Sequence, residues 1–559
     1  MTTPHGTPDQ APGIASRYPE SMRAIFAAFA HHGKPLRGLM STSKSPNFQG
    51  RFGRMFRSLP AATYGETDAE SRNALMTLGA AMTAPFDRPK DGQDAEESAI
   101  PALYTYFGQF VDHDITFDPM TTLIQHSDPD GLTDFRTPAL DLDNVYGRGP
   151  GDQPYIYDNG GPKFLLGKPL ANGAPDLPRN LPRNNDPARA LIGDPRNDEN
   201  SIVSQFQCLM LRFHNRVVDE VLDNNGNALS FSELQRVVRW HYQWVILHDF
   251  LPKIVSKPVL DALQTNGKYD QSKLKFFHWK NEPFMPVEFS VAAYRLGHSM
   301  IRPGYRLNDD DTTLLPIFPI QPNTISDIPA GLSPGLTGFQ AMAQNRGIDW
   351  ARFIDLDGDL RPNGGDPDSI NPPDAQMKAR LQFAYRIDTS LVTPLSVLPS
   401  EIAGDPPPSL PQRNLIRAFE LGLPTGQDVA RAMQVAPLDD SKIIIGKAVE
   451  KPGPGDVKGT IASMPELAQF KGRCPLWTYI LAEAAQNQTN LKISVKEDLN
   501  ISTPQLGEVG GRIVAEVFLG MMFGDNDSFL SADPDWTPTI RGKGANFALR
   551  DIVAYALGM

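Results

Sequence analysis

The sequence has few of the features that mark disulfide-stabilised, membrane-spanning or nucleic-acid-binding proteins. Only two of its 559 residues are cysteine, Cys208 and Cys474, so a disulfide framework is excluded and we expect two buried thiols. Acidic residues (65) outnumber basic ones (53), and the formal net charge of −12 favours neither nucleic acid nor an anionic membrane as a partner. No apolar run reaches the length of a membrane span.

The first residues, MTTPHGTPDQAPG, also lack the basic and then apolar segments of a secretory signal. We therefore expect a cytoplasmic protein, or one exported by a non-classical route, that is a monomer or a small homo-oligomer. Proline (51) and glycine (46) are both abundant, and 40% of the residues are hydrophobic. This composition predicts a substantial core whose helices are joined by long loops.

Helical periodicity recurs along the chain between loop-rich stretches. Residues 1–75 are interpreted as a Pro/Gly-rich N-terminal arm with one helical piece, Glu20–His32, and residues 76–559 as a single domain. Within that domain, the pattern turns helical from about 76 to 120, a region that ends in the stretch 104–119. Further helices are predicted at 200–222, 231–255, 286–301, 376–388, 412–421, 426–434, 474–486 and 507–523. The fold class is therefore predicted to be mainly α, with long loops and little β structure.

One stretch, Tyr104–Pro119 (YTYFGQFVDHDITFDP), combines reactive polar groups with dense aromatic residues. On a helix, Gln109 and His113 share one face, Asp112 lies beside it, and Asp114 points about 100° further round. An isolated Asp-His-Asp is more often a solvated surface turn. The aromatic residues would bury this one, and buried acids need partners or a cation. The stretch therefore predicts a functional site.

Three further pairs of polar residues have a similar helical spacing. They are Arg196 with Glu199, Arg295 with His298, and Asn414 with Arg417. Each pair can present two polar groups from one side of a helix, although a single Arg-x-x-Glu is usually a surface ion pair. Together with Gln109 and His113, the pairs could converge on haem, whose iron needs an axial imidazole and whose propionates need arginines.

The longer motifs resemble those of the animal haem peroxidases, in the peroxidase–cyclooxygenase superfamily, in a bacterial-type form. The matching segments follow the family order and read FGQFVDHD (107–114), DLDNVYG (141–147), GDPRNDE (193–199), LRFHNRVVDEV (211–221), FLPKIV (250–255), EFSVAAYRLGHSMI (288–301) and GLP (422–424). The resemblance implies a haem peroxidase-type helical domain that binds haem b and reduces hydrogen peroxide. It further implies oxidation of iodide, bromide, thiocyanate or phenolic and other aromatic donors through a ferryl porphyrin-radical intermediate.

The resemblance also implies the roles of individual residues. His113 resembles the distal histidine and Arg196 the distal arginine, with Gln109 beside them as a third catalytic residue. His298 resembles the proximal ligand of the haem iron. Asn414 resembles the partner that accepts the second N–H of that histidine, a bond that orients the ring and raises its basicity.

Four more residues resemble groups that hold the haem. Arg295 and Arg417 match the arginines that pair with propionates, for which a fork of donors is suited. Asp112 and Glu199 match the two acids that form esters with haem methyl groups, so an ester-linked haem is an expectation. In the most strongly oxidising members of the family, the residue after this glutamate is a methionine that forms a sulfonium link to the haem. Here the residue after Glu199 is Asn200, so chloride oxidation is not expected.

A calcium site is predicted next to the distal helix. Thr137, Ala139, Asp141 and Asp143 alternate in the segment RTPALDLDN, so an extended chain directs them to one side. With Asp114 they would supply the oxygen-only ligands that Ca²⁺ takes. The resemblance implies that Ala139 binds through its carbonyl and Thr137 through its carbonyl and hydroxyl. The alternative is an acidic loop held by Asx-turns.

Two other functions stay open. Fatty-acid dioxygenases of the same superfamily carry a tyrosine three residues before the proximal histidine, where this chain has Arg295, with Tyr294 one residue off. The second alternative is a catalytically inert haem-binding or adhesion protein. The presence of His113, Arg196 and Gln109 argues against that alternative.

Other groups that could be mistaken for ligands are expected to be structural. His214 lies within a core helix, and His241 and His248 have no polar constellation around them. The acids of DLDGDLRPNGGD (355–366) resemble an EF-hand loop only loosely, because Leu360 stands where that loop requires glycine.

Overall fold

The computed structural model describes residues 50–85, 89–90, 94–117, 133–134, 136–158, 161–182, 188–223, 225–280, 282–318, 335–356, 380–403, 406–492, 500–540 and 546–559. The predicted helical piece Glu20–His32 lies outside these residues, as do Asp357 and Asp359 of the EF-hand-like segment. Within the described ranges, no helix is both long enough and apolar enough to span a membrane.

The described part of the chain is mainly helical, which confirms the predicted fold class. The longer helices, labelled in chain order, are α1 (Asp68–Ala81), α2 (Leu103–Ile115), α3 (Ser201–Glu220), α4 (Phe231–Val245), α5 (Leu410–Glu420), α6 (Gly426–Ala432), α7 (Leu476–Gln486), α8 (Glu508–Gly524) and α9 (Leu549–Leu557). Short α-helices cover Asp143–Tyr146, Gly149–Asp152, Leu251–Ile254, Lys257–Asp261, Val287–Ser290, Ser400–Ala403 and Phe529–Ala532. The 3₁₀ segments are Pro154–Ile156, Pro195–Asp198, Gln271–Lys273, Ala293–His298, Gln344–Arg346, Trp350–Arg352, Thr393–Ser396 and Pro465–Phe470, and Ile246–Phe250 is a π-helix.

The strands are short and tie distant segments together. Gly50–Gly53 pairs antiparallel with Thr133–Asp134 and parallel with Met285–Pro286. The other pairs are all antiparallel: Glu97–Pro101 with Phe383–Tyr385, Gln264–Thr265 with Lys268–Tyr269, Gly304–Tyr305 with Leu315–Pro316, Ile444–Gly446 with Val457–Thr460, and Gln488–Lys492 with Asn500–Pro504.

Local capping sets where several helices begin. Thr67 and Glu70 form a capping box at the start of α1, and Ser230 and Glu233 form another at the start of α4. The side chain of Asn200 accepts hydrogen bonds from the first N–H groups of α3. These polar residues satisfy amide groups that would otherwise lack partners at a helix start.

The aromatic core fixes the orientation of α2. Phe107 and Phe110 lie edge-on to Phe206 of α3 and Tyr242 of α4, with ring centroids 5.0 to 6.2 Å apart. Edge-to-face pairs of this kind stabilise a core beyond the burial of their surface. Because one face of α2 is packed in this way, its opposite polar face is held in a fixed direction.

Three predicted helical regions differ from the structure. Within the region 76–120, Glu97–Pro101 is a strand. The helix predicted at 286–301 is instead a short α-helix followed by the 3₁₀ helix Ala293–His298. The helix predicted over 376–388 is wrong where the structure describes it, because Phe383–Tyr385 is a strand paired with Glu97–Pro101. Its aromatic residues are buried by this long-range pairing, which the local sequence does not reveal. The domain boundary at residue 75 stays a prediction, and α1 runs across it.

Candidate active site

A cavity of about 260 Å³ brings the four predicted polar pairs together. Its wall includes all nine residues predicted to act in catalysis or in holding haem: Gln109, Asp112, His113, Arg196, Glu199, Arg295, His298, Asn414 and Arg417. These residues come from α2, from the region of the turn Pro195–Asp198, from the 3₁₀ helix Ala293–His298 and from α5. The fold therefore joins four segments that are far apart in sequence.

His113 lies on the cavity face of α2, with 5% of its surface exposed. Its Nδ1 atom is 2.7 Å from Oδ1 of Asn197. Burial, reinforced by the positive charge of Arg196, lowers the pKa of His113 to about 4. The imidazole is therefore uncharged at neutral pH and able to accept a proton.

Arg196 is fixed from three sides. Its guanidinium donates to the carboxylate of Asp194 at 2.7 to 3.2 Å and to the main-chain oxygen of His113 at 2.9 Å. The guanidinium carbon also lies 4.5 Å from the ring centroid of Phe117. Burial alone would raise the pKa of Asp194, but Arg136 and Arg196 hold it well below its usual value. The result is a cation held in one orientation at the cavity wall.

Gln109 is held on both sides of its amide. Its Nε2 donates to Glu199 Oε1, and its Oε1 accepts from Asn200 Nδ2 at 3.2 Å. Asn200 in turn caps α3, with its Oδ1 accepting from the main chain of Ile202 and Val203. Burial raises the pKa of Glu199 to about 7, so this carboxyl is partly protonated near neutral pH.

Asp112 lies beside this group and is half-buried. The hydroxyl of Thr116 donates to its carboxylate at 3.1 Å and also contacts its main-chain oxygen at 2.9 Å. Asp112 and Glu199 thus reach the cavity from different elements.

His298 lies at the end of the 3₁₀ helix Ala293–His298. With three residues per turn, this helix puts Arg295 on the same side as His298. Arg295 Nε donates to Ser290 O at 2.8 Å, and Trp477 lies edge-on to the imidazole with centroids 6.4 Å apart. Burial and the charge of Arg295 lower the pKa of His298 to about 3, so this imidazole is also uncharged.

Asn414 contacts His298 as predicted, but with the other end of its amide. Nδ2 of Asn414, rather than Oδ1, lies 2.7 Å from Nδ1 of His298. A half-turn of the amide exchanges the two atoms. It would allow Nδ1 to donate its hydrogen and leave Nε2 free as a ligand.

Several residues at the cavity were not predicted from the sequence. Arg413 lines the wall next to Asn414, and its Nη1 donates to Pro407 O at 3.0 Å. Tyr294 also lines the wall, donates to Gly108 O at 3.2 Å and stacks on Phe289. From the sequence, Tyr294 was considered only in connection with fatty-acid dioxygenation, because a one-residue shift turns it away from the face of His298.

Asp194, Asn197 and Gln207 hold the polar groups from behind and were also missed. Asp194 and Asn197 occur inside the GDPRNDE motif, which is the one signal that could have drawn attention to them. Gln207 gives no such signal, since its contact with Asn197 depends on how α3 packs behind the turn Pro195–Asp198.

A second polar cluster lies on a different face of α2 from the cavity. Asp114, Asp141 and Asp143 each offer one carboxylate oxygen, and these atoms lie within 4.8 Å of one another. Burial raises the pKa of all three, to about 6 for Asp141 and about 7 for Asp143. Among the described residues, none lies within hydrogen-bonding distance of Asp114 Oδ1 or Asp143 Oδ1. The cluster could hold a metal ion.

The neighbourhood of this cluster agrees in part with the prediction. Ala139, one of the predicted ligands, is buried. Asp114 accepts from Tyr242 OH at 3.1 Å and from Leu142 N at 3.3 Å, so it points away from the cavity as expected.

Histidines outside the cavity have structural partners, as predicted for His214 and His241. Tyr146 OH and the main-chain oxygen of Pro162 lie 3.0 and 2.9 Å from the two ring nitrogens of His214. His241 bonds to Val237 O at 2.7 Å and accepts from main-chain N–H groups near residue 540.

Sequence and structure comparisons agree with this architecture. Residues 125–327, which include Arg196, Glu199, Arg295 and His298, match the family described as animal haem peroxidase. Mouse thyroid peroxidase is 29% identical over 197 residues, which are 32% of this chain and 20% of that protein. The aligned part of the chain thus spans only a fifth of this relative.

Solved structures share the fold at low identity. Peroxidase A from Dictyostelium discoideum superposes with a TM-score of 0.53 at 15% identity, covering 90% of this chain and 95% of the other. A fatty acid α-dioxygenase from Arabidopsis thaliana gives a TM-score of 0.50 at 13% identity, covering 97% and 88%. Over residues 125–327 the chain is therefore similar to the animal haem peroxidase family, and its fold is similar to that of the two solved structures.

Proposed function

We propose that this protein is a haem peroxidase that reduces hydrogen peroxide and oxidises small donors. The observation that carries the proposal is one cavity lined by two uncharged imidazoles, His113 and His298, together with Arg196. A distal acid–base group, a fixed cation and an imidazole ligand are the groups that this reaction needs from the protein.

The residues present fit haem b. His298 offers an uncharged imidazole to an iron, and Arg295 and Arg417 offer guanidinium groups to propionates. Between these polar groups the wall is apolar, which suits the faces and edges of a porphyrin: Leu296, Met300, Leu395, Leu398, Ile402 and Leu410. When bound, haem supplies the redox-active iron at which peroxide is reduced.

The side chains on the α2 side of the cavity would transfer protons and stabilise developing charge. His113 takes a proton from one peroxide oxygen and returns it to the other, which leaves as water. Arg196, already fixed by Asp194, stabilises the negative charge that develops as the O–O bond breaks. Gln109, which is hydrogen-bonded to both Glu199 and Asn200, would help to orient the peroxide.

Asp112 and Glu199 are proposed to form esters with haem methyl groups. Each link would replace a methyl C–H bond by a C–O bond, with hydrogen peroxide as the two-electron oxidant that is reduced to water. Both line the cavity, and the raised pKa of Glu199 gives it an uncharged form near neutral pH. Haem that stays with the protein after acid–acetone extraction would support the link, and its loss in an Asp112→Asn, Glu199→Gln variant would assign it.

Asn200 supports a restricted set of donors. Its amide is engaged in capping α3 and in holding Gln109, and it has no sulfur with which to form a sulfonium link. We therefore propose iodide, bromide, thiocyanate or phenolic and aromatic compounds as donors, and not chloride.

The acidic cluster of Asp114, Asp141 and Asp143 is proposed to bind Ca²⁺, with Thr137 and Ala139 contributing further oxygens. Asp114 is buried, Asp141 and Asp143 are half-buried, and Asp114 and Asp143 each have a carboxylate oxygen without a hydrogen-bond partner among the described residues, which suits a hard cation. Because Asp114 follows His113 directly, such a cation would also anchor the end of α2 that carries the distal histidine.

The test is steady-state oxidation of guaiacol or iodide by hydrogen peroxide. His113→Ala should lower the rate by about 10²- to 10⁴-fold, the usual contribution of general acid–base catalysis. His278→Ala, at an exposed histidine outside the cavity, is the matched control and should leave the rate unchanged. Equal and negligible rates in wild type and His113→Ala would favour an inert haem-binding protein.

Fatty-acid dioxygenation is kept as a second candidate because Tyr294 lines the cavity. Arg295, not Tyr294, shares the face of His298, and the Tyr294 hydroxyl is engaged with Gly108 O. Oxygen uptake with a fatty acid and no peroxide, abolished by Tyr294→Phe, would support this candidate over the peroxidase.

A further inference from the structure

A chain of two buried amides stands behind His113. Oδ1 of Asn197 lies 2.7 Å from Nδ1 of His113, and Nδ2 of Asn197 donates to Oε1 of Gln207 at 2.7 Å. Asn197 and Gln207 have no exposed surface, and neither contributes to the cavity wall. The chain therefore reaches His113 from the side opposite to the space in which peroxide would bind.

The direction of this chain decides where the imidazole carries its hydrogen. An amide oxygen can only accept, so an oxygen at Nδ1 requires the hydrogen to be on Nδ1. Nε2 then keeps a free electron pair. If both amides turned over, Asn197 would present its NH₂ group instead, and the hydrogen would move to Nε2.

The backbone and α3 hold Asn197 in place. Asn197 lies in the 3₁₀ turn Pro195–Asp198, which Asp194 caps by accepting from Arg196 N at 2.8 Å. Gln207 lies on the buried face of α3. The same turn therefore orients both Arg196 and the partner of His113.

We propose that Asn197, oriented by Gln207, is a positioning residue that keeps His113 in the tautomer with hydrogen on Nδ1. Nε2 is thereby left as the proton acceptor toward the cavity. This inference rests on the proposed peroxidase function for its kinetic consequence. The tautomer itself can be measured independently of turnover.

The experiment compares Asn197→Leu with Asn197→Asp. Leucine has the same number of side-chain heavy atoms as asparagine and no hydrogen-bonding group, whereas an ionised aspartate can only accept at this position. The full-length haem-loaded chain is labelled with ¹⁵N-histidine and studied by NMR in its diamagnetic ferrous, carbon monoxide-bound form. The nitrogen that carries hydrogen differs from the other in chemical shift, and His113→Gln assigns the signal. The rate of reaction with hydrogen peroxide is measured for each protein by stopped flow.

We expect hydrogen on Nδ1 in wild type and in Asn197→Asp, and loss of this preference in Asn197→Leu. The peroxide rate of Asn197→Leu should fall by roughly 10- to 100-fold, as for other outer partners of functional histidines, and Asn197→Asp should recover most of it. Unchanged tautomer and rate in Asn197→Leu would overturn the inference. A rate in Asn197→Asp as low as in Asn197→Leu would also overturn it, since packing alone would then explain the loss.

Two controls separate the possible failures. If wild type reacts with peroxide no faster than free haem, the proposed function fails, whereas the tautomer data still decide the role of Asn197. Thermal unfolding shows whether Asn197→Leu is folded. If it is not, Gln207→Leu is used instead. It frees the Asn197 amide to turn and should give a mixture of tautomers, and a single Nδ1–H form would contradict the inference.

Discussion

At the scale of single residues, the contact between His298 and Asn414 is the one whose direction matters most. The amide nitrogen faces Nδ1 at 2.7 Å, whereas an imidazole that binds iron through Nε2 must donate from Nδ1. Loading with haem should therefore turn the amide so that its oxygen faces the ring. Such an acceptor fixes the ring and raises its basicity.

Substitution of Asn414 tests this arrangement. Asn414→Leu removes the acceptor and should weaken haem retention or activity by roughly 10- to 100-fold. Asn414→Asp keeps an acceptor and adds charge, so it should retain haem and lower the reduction potential of the iron. Haem transfer to apomyoglobin and a spectroelectrochemical titration measure the two effects. A potential that rises in Asn414→Asp would contradict this account.

The sequence predicted the residues that face the cavity better than those behind it. His113, Arg196 and His298 were predicted because each belongs to a pair of polar residues three or four apart in sequence. A helix or 3₁₀ helix places both members of such a pair on one side. Asn197 and Gln207 could not be assigned, because their bond depends on how a turn packs against α3. Local spacing carries no information about such contacts.

At the scale of elements, the turn Pro195–Asp198 controls the cation in the cavity. Asp194 caps the turn, holds Arg196 through its guanidinium and pairs with Arg136. Removing the charge of Asp194 would leave the buried guanidinium of Arg196 and the half-buried guanidinium of Arg136 with less compensating negative charge. The position of Arg196 therefore depends on an acid that does not line the cavity.

Asp194→Asn should lower the rate with peroxide by about 10-fold or more, because Arg196 is no longer fixed where charge develops. Stopped-flow kinetics give the rate, and Arg196→Leu serves as the reference for complete loss of the cation. The double variant should be no slower than Arg196→Leu alone, since both changes act through the same guanidinium. Additive losses would show that Asp194 acts in another way.

A buried acid also links α7 to the start of α8. Glu483 accepts from the main-chain N–H groups of Val509 and Gly510 at 2.9 and 3.0 Å. Burial raises its pKa from 4.5 to about 7, so between these values the folded state binds a proton that the unfolded state has lost. The raised pKa of Glu483 therefore makes the free energy of unfolding fall as the pH rises from 4.5 to about 7.

Glu483→Gln removes this titration. Chemical denaturation at pH 5 and pH 7 should show a smaller loss of unfolding free energy with rising pH than in wild type, by at most about 3 kcal/mol. Glu233→Gln, in an exposed capping box, is the control and leaves the buried acid intact. Identical pH dependence in wild type and Glu483→Gln would contradict the raised pKa.

Long periodic helices were predictable, whereas the elements set by tertiary contact were not. The apolar pattern of α3 and α8 gave nearly their full extents. The strand Phe383–Tyr385 was wrongly predicted as helix, since its partner Glu97–Pro101 lies far away in sequence. The 3₁₀ geometry of Ala293–His298 was likewise not predicted, because polar residues three apart in sequence share a face in an α-helix and in a 3₁₀ helix alike.

At the scale of the whole molecule, the acidic cluster and the cavity lie on different faces of α2. A chain of charges also joins them, because Arg136 contacts both Asp143 of the cluster and Asp194 behind Arg196. A cation at the cluster would therefore act on the cavity from two directions, through α2 and through Arg136.

Removal of calcium with a chelator should lower the melting temperature and the peroxide rate together. A ligand present at about one hundred times its Kd contributes about 2.7 kcal/mol to stability. Differential scanning fluorimetry with and without added Ca²⁺ measures the shift. Asp141→Asn with Asp143→Asn should abolish the response, and Asp223→Asn, in an exposed turn, should keep it. A melting temperature that changes neither with chelator nor with added Ca²⁺ would exclude the site.

The central claim is that this fold holds an iron porphyrin between His298 and His113. It is tested most directly by titrating the protein with haemin and recording the Soret absorption. We expect saturation at one haem per chain in wild type and in His278→Ala, and loss of the saturable signal in His298→Ala. A wild-type protein without a Soret band, or a His298→Ala variant that binds haem as wild type does, would contradict the account.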